Sequence, residues 1–371
     1  MEKIFTYTSI LIISIVINTL APLMSTLQES LNISIATSSW IPVVSLFGTT
    51  VFSLIISVLM SRIGVKTANN LGFAFILSGS VLFFVSKTIS LVLISVFLIG
   101  SGTALLFTSL TTLLAHTKNP KYGLTHAFFG MGGILAPLFV REIISKNIEY
   151  NNLYLIYAFA VAIFIVWNIF SKFPETRYEK LNFFEIRTIL KKPIVYITII
   201  SLLLYSGSEI GVITWAGNLF LHFGISKVVA ASAISIFWIT YTISRMFSDF
   251  LGEVLGEKFL IYVVTITSSI TVFLIIVFKD YHIFWVLGAI MGPIFPTIQK
   301  YANMRLGGRE VGLLNGLTYA FTGIGAMLIS GIMGAISNFD ISLMYLIPAL
   351  GLFLVFIMQL FELKQSKQGG N

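Results

Sequence analysis

No cysteine occurs anywhere in this 371-residue chain. That excludes a disulfide framework, a thiolate metal site and a cysteine nucleophile. Charge is nearly as scarce: Asp, Glu, Lys and Arg make up 10% of the residues, against about 25% in an ordinary soluble domain. The four histidines (His116, His126, His222, His282) are scattered and show no metal-ligand spacing. No glycine-rich loop ending in Lys-Ser/Thr is present, which argues against ATP-driven work by this chain. No metal and no cofactor is expected, and nothing points to an enzyme. What remains is apolar. Hydrophobic residues make up 57% of the chain and the mean hydropathy is +0.95. A soluble fold this apolar would expose large sticky patches, whereas a bilayer solvates such side chains directly.

A spanning helix needs about 20 mostly apolar residues. Twelve such runs can be read, at about 4–28, 36–60, 67–86, 89–115, 122–144, 152–171, 194–219, 226–248, 258–278, 281–303, 310–336 and 341–362. The first run is longer than the roughly 7–15 apolar residues of a signal peptide and is read as a span. The net charge of +8 would suit nucleic acid, but the cations fall in short segments between the runs. They therefore report topology, and no nucleic-acid partner is expected. With an even number of spans, the terminal side holds 18 of the 23 Lys and Arg residues and the other side 5 (Lys87, Arg141, Lys146, Lys227, Lys279). The expectation is a multi-pass protein of the cell membrane with both termini cytoplasmic.

The chain repeats itself. Gly123 to Gly133 reads GLTHAFFGMGG and Gly316 to Ala326 reads GLTYAFTGIGA, with seven of eleven positions matching at an offset of 193. Gly64 and Lys66 pair with Gly256 and Lys258 at an offset of 192. Two agreeing offsets map the first six runs onto the last six. The expected organisation is a six-helix bundle over 1–171, a polar cytoplasmic linker over 172–193, a second bundle over 194–362 and a cytoplasmic tail over 363–371. Parallel six-helix repeats with a solute site near the midplane are a known transporter plan.

These residues resemble the major facilitator superfamily. Its loop between helices 2 and 3 follows G-x-x-x-D-R-x-G-x-K, and this chain places Ser57, Ser61, Arg62, Gly64 and Lys66 there. The Arg, Gly and Lys agree; the leading Gly and the Asp do not. The second copy carries Asp249, Glu253, Val254, Gly256 and Lys258. The resemblance implies a cytoplasmic gate at Arg62, Gly64 and Lys66, with Arg245 as a substitute cation. More narrowly, HAFFGMGGILAP (from His126), YSGSEIGVITW (from Tyr205) and GPIFPT (from Gly292) are similar to the fucose–galactose–proton symporter group. That group uses carboxylates in its amino-terminal half, where this chain offers Asn18, Thr108 and Ser109. The implied fold is all-α: twelve transmembrane helices in two pseudo-symmetric six-helix bundles.

Ionisable residues at membrane depth are costly and usually functional. Glu209 is the one carboxylate placed near a span centre, with Tyr205 one turn before it. A carboxyl there could take up and release a proton. His126 can donate, accept or titrate, and both it and Glu209 are candidates for solute and proton. Asn315 and Tyr319, the repeat partner of His126, form a polar stripe. Asn18, Trp215, Asn218, Trp238 and Tyr241 complete a candidate sugar site, since sugars need amide and hydroxyl partners and an aromatic face. Pro22, Pro137, Pro293 and Pro296 fall inside runs and can kink them. The expected activity is alternating-access movement of a small polar solute, a sugar foremost, with or without proton coupling, by a monomer in lipid. Drug or metabolite efflux is the alternative, on the partial exporter motif Gly132-x-x-x-Ala136-Pro137.

Overall fold

The computed structural model describes residues 2–33, 35–38, 40–146, 148–173, 183–337 and 341–368. Among them every regular element is helical. The helices are α1 (Glu2–Asn18), α2 (Leu20–Leu31), α3 (Ile35–Ser38), α4 (Trp40–Phe84), α5 (Ile89–Ala115), α6 (Tyr122–Ser145), α7 (Asn152–Phe170), α8 (Phe183–Leu190), α9 (Pro193–His222), α10 (Lys227–Leu255), α11 (Glu257–Phe278), α12 (His282–Met291), α13 (Ile294–Asn303), α14 (Gly308–Ser337) and α15 (Leu346–Gln368), the last preceded by a 3₁₀ turn at Leu343–Tyr345.

Ten stretches are long and apolar enough to cross a bilayer. Two further spans bring these to the twelve expected. The 45-residue α4 is two helices joined at Gly64, whose φ of 73° and ψ of 164° are not helical. The other is α10, which has the length of a span but carries Arg245, Asp249 and Glu253 and so lacks the hydropathy. Gly256, the repeat partner of Gly64, has φ 83° and ends α10. Both copies of the loop therefore turn on a glycine in a conformation that L side chains rarely adopt.

Prolines set the other breaks. Pro22 has no N–H for the carbonyl of Asn18, and the first run divides there into α1 and α2. Gly292 and Pro293 divide the tenth run into α12 and α13. Of the expected linker, α8 is described and 174–182, with Arg177 and Lys180, lie outside the described residues. Of the expected tail, 363–368 continue α15 and 369–371 lie outside.

The chain divides into two compact units. Unit 1 comprises Met1–Pro120, Phe128–Leu181 and Gly307–Ala320; unit 2 comprises Lys121–Ala127, Asn182–Leu306 and Phe321–Asn371. The first turns of α6 thus belong with the second half, and the first turns of α14 with the first. In unit 1 glycines let helices touch: a Cβ on Gly100 would stand 2.2 Å from the carbonyl oxygen of Ser45. An amide network ties α4, α5 and α7. Asn69 Nδ2 donates to Asn168 Oδ1 (3.1 Å), Ser109 Oγ donates to Asn69 Oδ1 (2.5 Å), and Asn168 Nδ2 donates to Asn70 Oδ1 (2.8 Å). In unit 2 Gly207 on α9 meets Gly325 on α14, its Cβ position 2.5 Å from that residue's carbonyl oxygen.

Candidate functional site

A buried ion pair sits halfway along two helices of unit 2. Glu209 is the seventeenth of the 30 residues of α9, counting from Pro193. Tyr241 is the fifteenth of the 29 residues of α10, counting from Lys227, and Arg245 lies one turn further. Glu209 is 8% exposed, Tyr241 0% and Arg245 5%. The Tyr241 hydroxyl donates to Glu209 Oε1 and accepts from Arg245 Nη2. Arg245 Nη2 stands 3.6 Å from Glu209 Oε1, and its guanidinium lies 4.1 Å over the Tyr241 ring. Two unlike charges and a bridging hydroxyl satisfy one another where an unpaired charge would be strongly destabilising.

The break between α12 and α13 supplies the rest of the cluster's partners. Pro296 cannot donate to the carbonyl of Gly292, four residues back, and Arg245 Nε donates to that oxygen instead at 3.3 Å. The adjacent Met291 carbonyl accepts the Tyr205 hydroxyl at 2.9 Å, and this hydroxyl is 3.2 Å from that of Tyr241. Gly292 must be glycine: a Cβ would lie 2.0 Å from Ser244 Oγ and 2.5 Å from the Tyr241 carbonyl oxygen. Phe295 links this cluster to His126, with ring centroids 4.7 Å apart. His126 is 6% exposed, and its Nε2 is 2.9 Å from Gln299 Oε1. Since that oxygen only accepts, Nε2 carries the proton of this contact.

The structure therefore gathers Tyr205, Glu209, Tyr241 and His126 in one region of unit 2, and adds Arg245, which the sequence reading put among the gate cations. The span was expected to end at residue 248, but α10 runs to Leu255, so Arg245 is mid-helix. Trp238 lies beside Tyr241, ring centroids 5.5 Å apart. Trp215 is drawn to α14, its Nε1 donating to the Ser330 carbonyl at 3.3 Å, and Asn218 is exposed. Three candidates belong to unit 1. Asn18 Nδ2 donates to the Ser14 carbonyl at 2.8 Å, Asn315 Nδ2 to Thr112 Oγ1 at 3.4 Å, and the Tyr319 ring packs 5.3 Å from that of Phe107. Of the remaining gate residues, Lys66 donates to the Ile169 (2.7 Å) and Ser171 (3.0 Å) carbonyls, closing the end of α7, and Arg62 is exposed.

Sequence reasoning passed over Gln299, 1% exposed, and took Lys300, 5% exposed, only as a terminal-side cation. Two consecutive strongly polar residues inside the tenth apolar run were the available signal. Among the described residues no group of three or more His, Asp or Glu could hold a metal ion.

A buried, charged cluster in the middle of long apolar helices is what a multi-pass membrane transporter would keep. The family model of the Major Facilitator Superfamily matches residues 6–291 and 200–371. The chain belongs to that superfamily, and it is a transporter rather than an enzyme. Its fold is that of the E. coli fucose:proton symporter FucP (N162A), with a TM-score of 0.83 at 16% identity over 96% of this chain and 97% of that one. The human organic anion transporter MFSD10 (TETRAN) matches with a TM-score of 0.77 at 13% identity over 96% and 98%. Among curated proteins, the TsgA homolog of Buchnera aphidicola subsp. Baizongia pistaciae is 24% identical over 255 residues, 66% of this chain and 64% of that protein, just under two thirds of its length. The TsgA homolog of Enterobacter sp. is 23% identical over 313 residues, 81% of this chain and 78% of that protein.

Proposed function

We propose that this transporter moves a small polar solute, a sugar foremost, by alternating access between two six-helix bundles, and that protons drive it through Glu209. The observation that carries this reading is the carboxylate of Glu209, buried mid-helix against Tyr241 and Arg245. Buried ionisable groups at such depth are expensive to keep and mark solute or proton pathways. The tyrosine hydroxyls and the half-buried Trp238 beside them are the partners a sugar needs, and the fucose carried by FucP, which has the same fold, agrees in kind. Asn18, Asn315 and Tyr319 are kept as further candidates for contact with the solute. The cation split supports cytoplasmic termini even with Arg245 and Lys300 counted inside their spans, since 18 less 2 leaves 16 against 5.

The test is uptake of radiolabelled monosaccharides into proteoliposomes, with and without an imposed pH gradient. An acidic exterior should drive accumulation in the wild type. Glu209→Gln should lose that gradient-driven component. Gradient-driven accumulation at the wild-type level in the variant would refute the proton role of Glu209, and the absence of uptake for every monosaccharide would refute the sugar reading.

A further inference from the structure

Four contacts within unit 2 tie the start of α6 to α10 and α13. Lys121 pairs with Glu253. Asn303 Nδ2 donates to the Tyr122 hydroxyl at 2.8 Å. The Leu124 N–H donates to Asp249 Oδ2 at 3.2 Å. His126 meets Gln299. Gly123 makes the approach possible, because a Cβ there would be 2.4 Å from the Arg245 carbonyl oxygen. Asp249 also has Lys300 Nζ at 3.8 Å, and that ammonium is 3.1 Å from Glu257.

The first repeat copy makes the same approach without charge. At the offset of 192, Asp249 corresponds to Ser57. Within unit 1, Ser57 lies under Gly316, the partner of Gly123, and its hydroxyl donates to its own helix at Leu54. Only the second copy has a carboxylate holding a helix start.

Arg245 stands between the two sets of contacts. Its side chain reads Glu209, while its carbonyl seats Gly123. Asp249 follows it by four residues, on the same face of α10. A guanidinium does not lose its proton in a protein, so if Glu209 is neutralised the buried cation must find another anion. The titratable groups facing Arg245 are Tyr205 and Glu209 on α9, Tyr241 on α10 and His126 on α6, and those facing Asp249 are Lys300 on α13 and Lys121. Of the two carboxylates, Asp249 is the one left, and Lys300 can fall back on Glu257.

We propose that Arg245 is a positioning residue that exchanges carboxylates. It is held by Glu209 while that group is charged, and it turns to Asp249 when a proton or solute neutralises or occupies Glu209. The exchange draws Asp249 from the Leu124 N–H and loosens residues 121–127 from α10. This rests on Glu209 being the coupling carboxylate of the reading above.

Hydrogen–deuterium exchange on the full chain in nanodiscs reads residues 121–127 directly and requires no solute. Glu209→Gln should speed exchange of that segment roughly tenfold, the scale of losing a charged helix-start contact. Adding Arg245→Gln should restore protection, because no cation is left to pull Asp249 away; a merely structural arginine would leave the double variant no better protected. Wild-type protection in Glu209→Gln, or a double variant as fast as the single, overturns the proposal. If Glu209→Gln does not purify folded, Glu209→Met, neutral and of similar size, gives the same reading. Because no solute enters, failure of sugar uptake leaves this result standing, and unchanged protection leaves the uptake result standing.

Discussion

At Gly292 a single hydrogen atom in place of a side chain lets α10 lie against the break between α12 and α13. Gly292→Ala would drive a methyl into Ser244 and the Tyr241 carbonyl. Overpacking of this kind costs about 1–3 kcal/mol, so the variant should melt earlier by thermal-shift assay and lose the Arg245 contact with residue 292. Tyr205→Phe removes only a hydroxyl, but it leaves the Met291 carbonyl without that donor. An unsatisfied buried acceptor costs about 1–3 kcal/mol, so this variant too should melt earlier. Residue types were the most legible part of the site. Tyr205, Glu209 and Tyr241 stood out as polar residues in apolar runs, and they meet. Their pairing was not legible, because Glu209 and Arg245 are on different helices and no periodicity relates them. Ser109 illustrates the converse. Offered by the sequence as polar lining, its hydroxyl is consumed by Asn69 in the amide network of unit 1.

At the scale of the element, hydropathy found the spans and cut short the one that carries charge. The helix α10 was bounded at 248 because Asp249 and Glu253 looked like a loop. Both instead extend the helix to Leu255, where they hold the start of α6. The loop copies behave alike in backbone terms. Gly256 has φ 83° with nothing within 4 Å of a would-be Cβ, so Gly256→Ala tests conformation alone. Strain at such a position costs about 1–3 kcal/mol. The alanine variant should be destabilised by that amount in thermal unfolding, and Gly64→Ala, at φ 73°, likewise. Equal stability of Gly256→Ala and wild type would show that the turn tolerates an L side chain.

Over the whole molecule, the internal repeat was readable from two short matches, and the glycine pair at Gly64 and Gly256 gives it backbone substance. The asymmetry laid over it was half readable: a carboxylate in the second half only was evident, its arginine was not. Charge placement also separates two sources of pH dependence. Lys121 beside Glu253 holds that exposed carboxyl below its usual range. A lowered carboxyl favours the contact at every pH above the ordinary value of about 4.3, and the contact is lost only as pH falls through the still lower folded value. Exchange protection around Lys121 should therefore be flat from about pH 5.5 to 8 once intrinsic rates are divided out. A transport profile in that window does not arise at this pair, and Glu253→Gln should leave its midpoint unmoved.

Pro296 and Arg245 share one oxygen. The proline abandons the Gly292 carbonyl and the arginine adopts it. In descent, these two positions are a single heritable character written in two places. A lineage that loses the arginine gains by regaining an N–H at position 296, and one that restores the helix there no longer needs the arginine for that carbonyl. Covariation between 245 and 296 is thus the mark this joint should leave on its relatives.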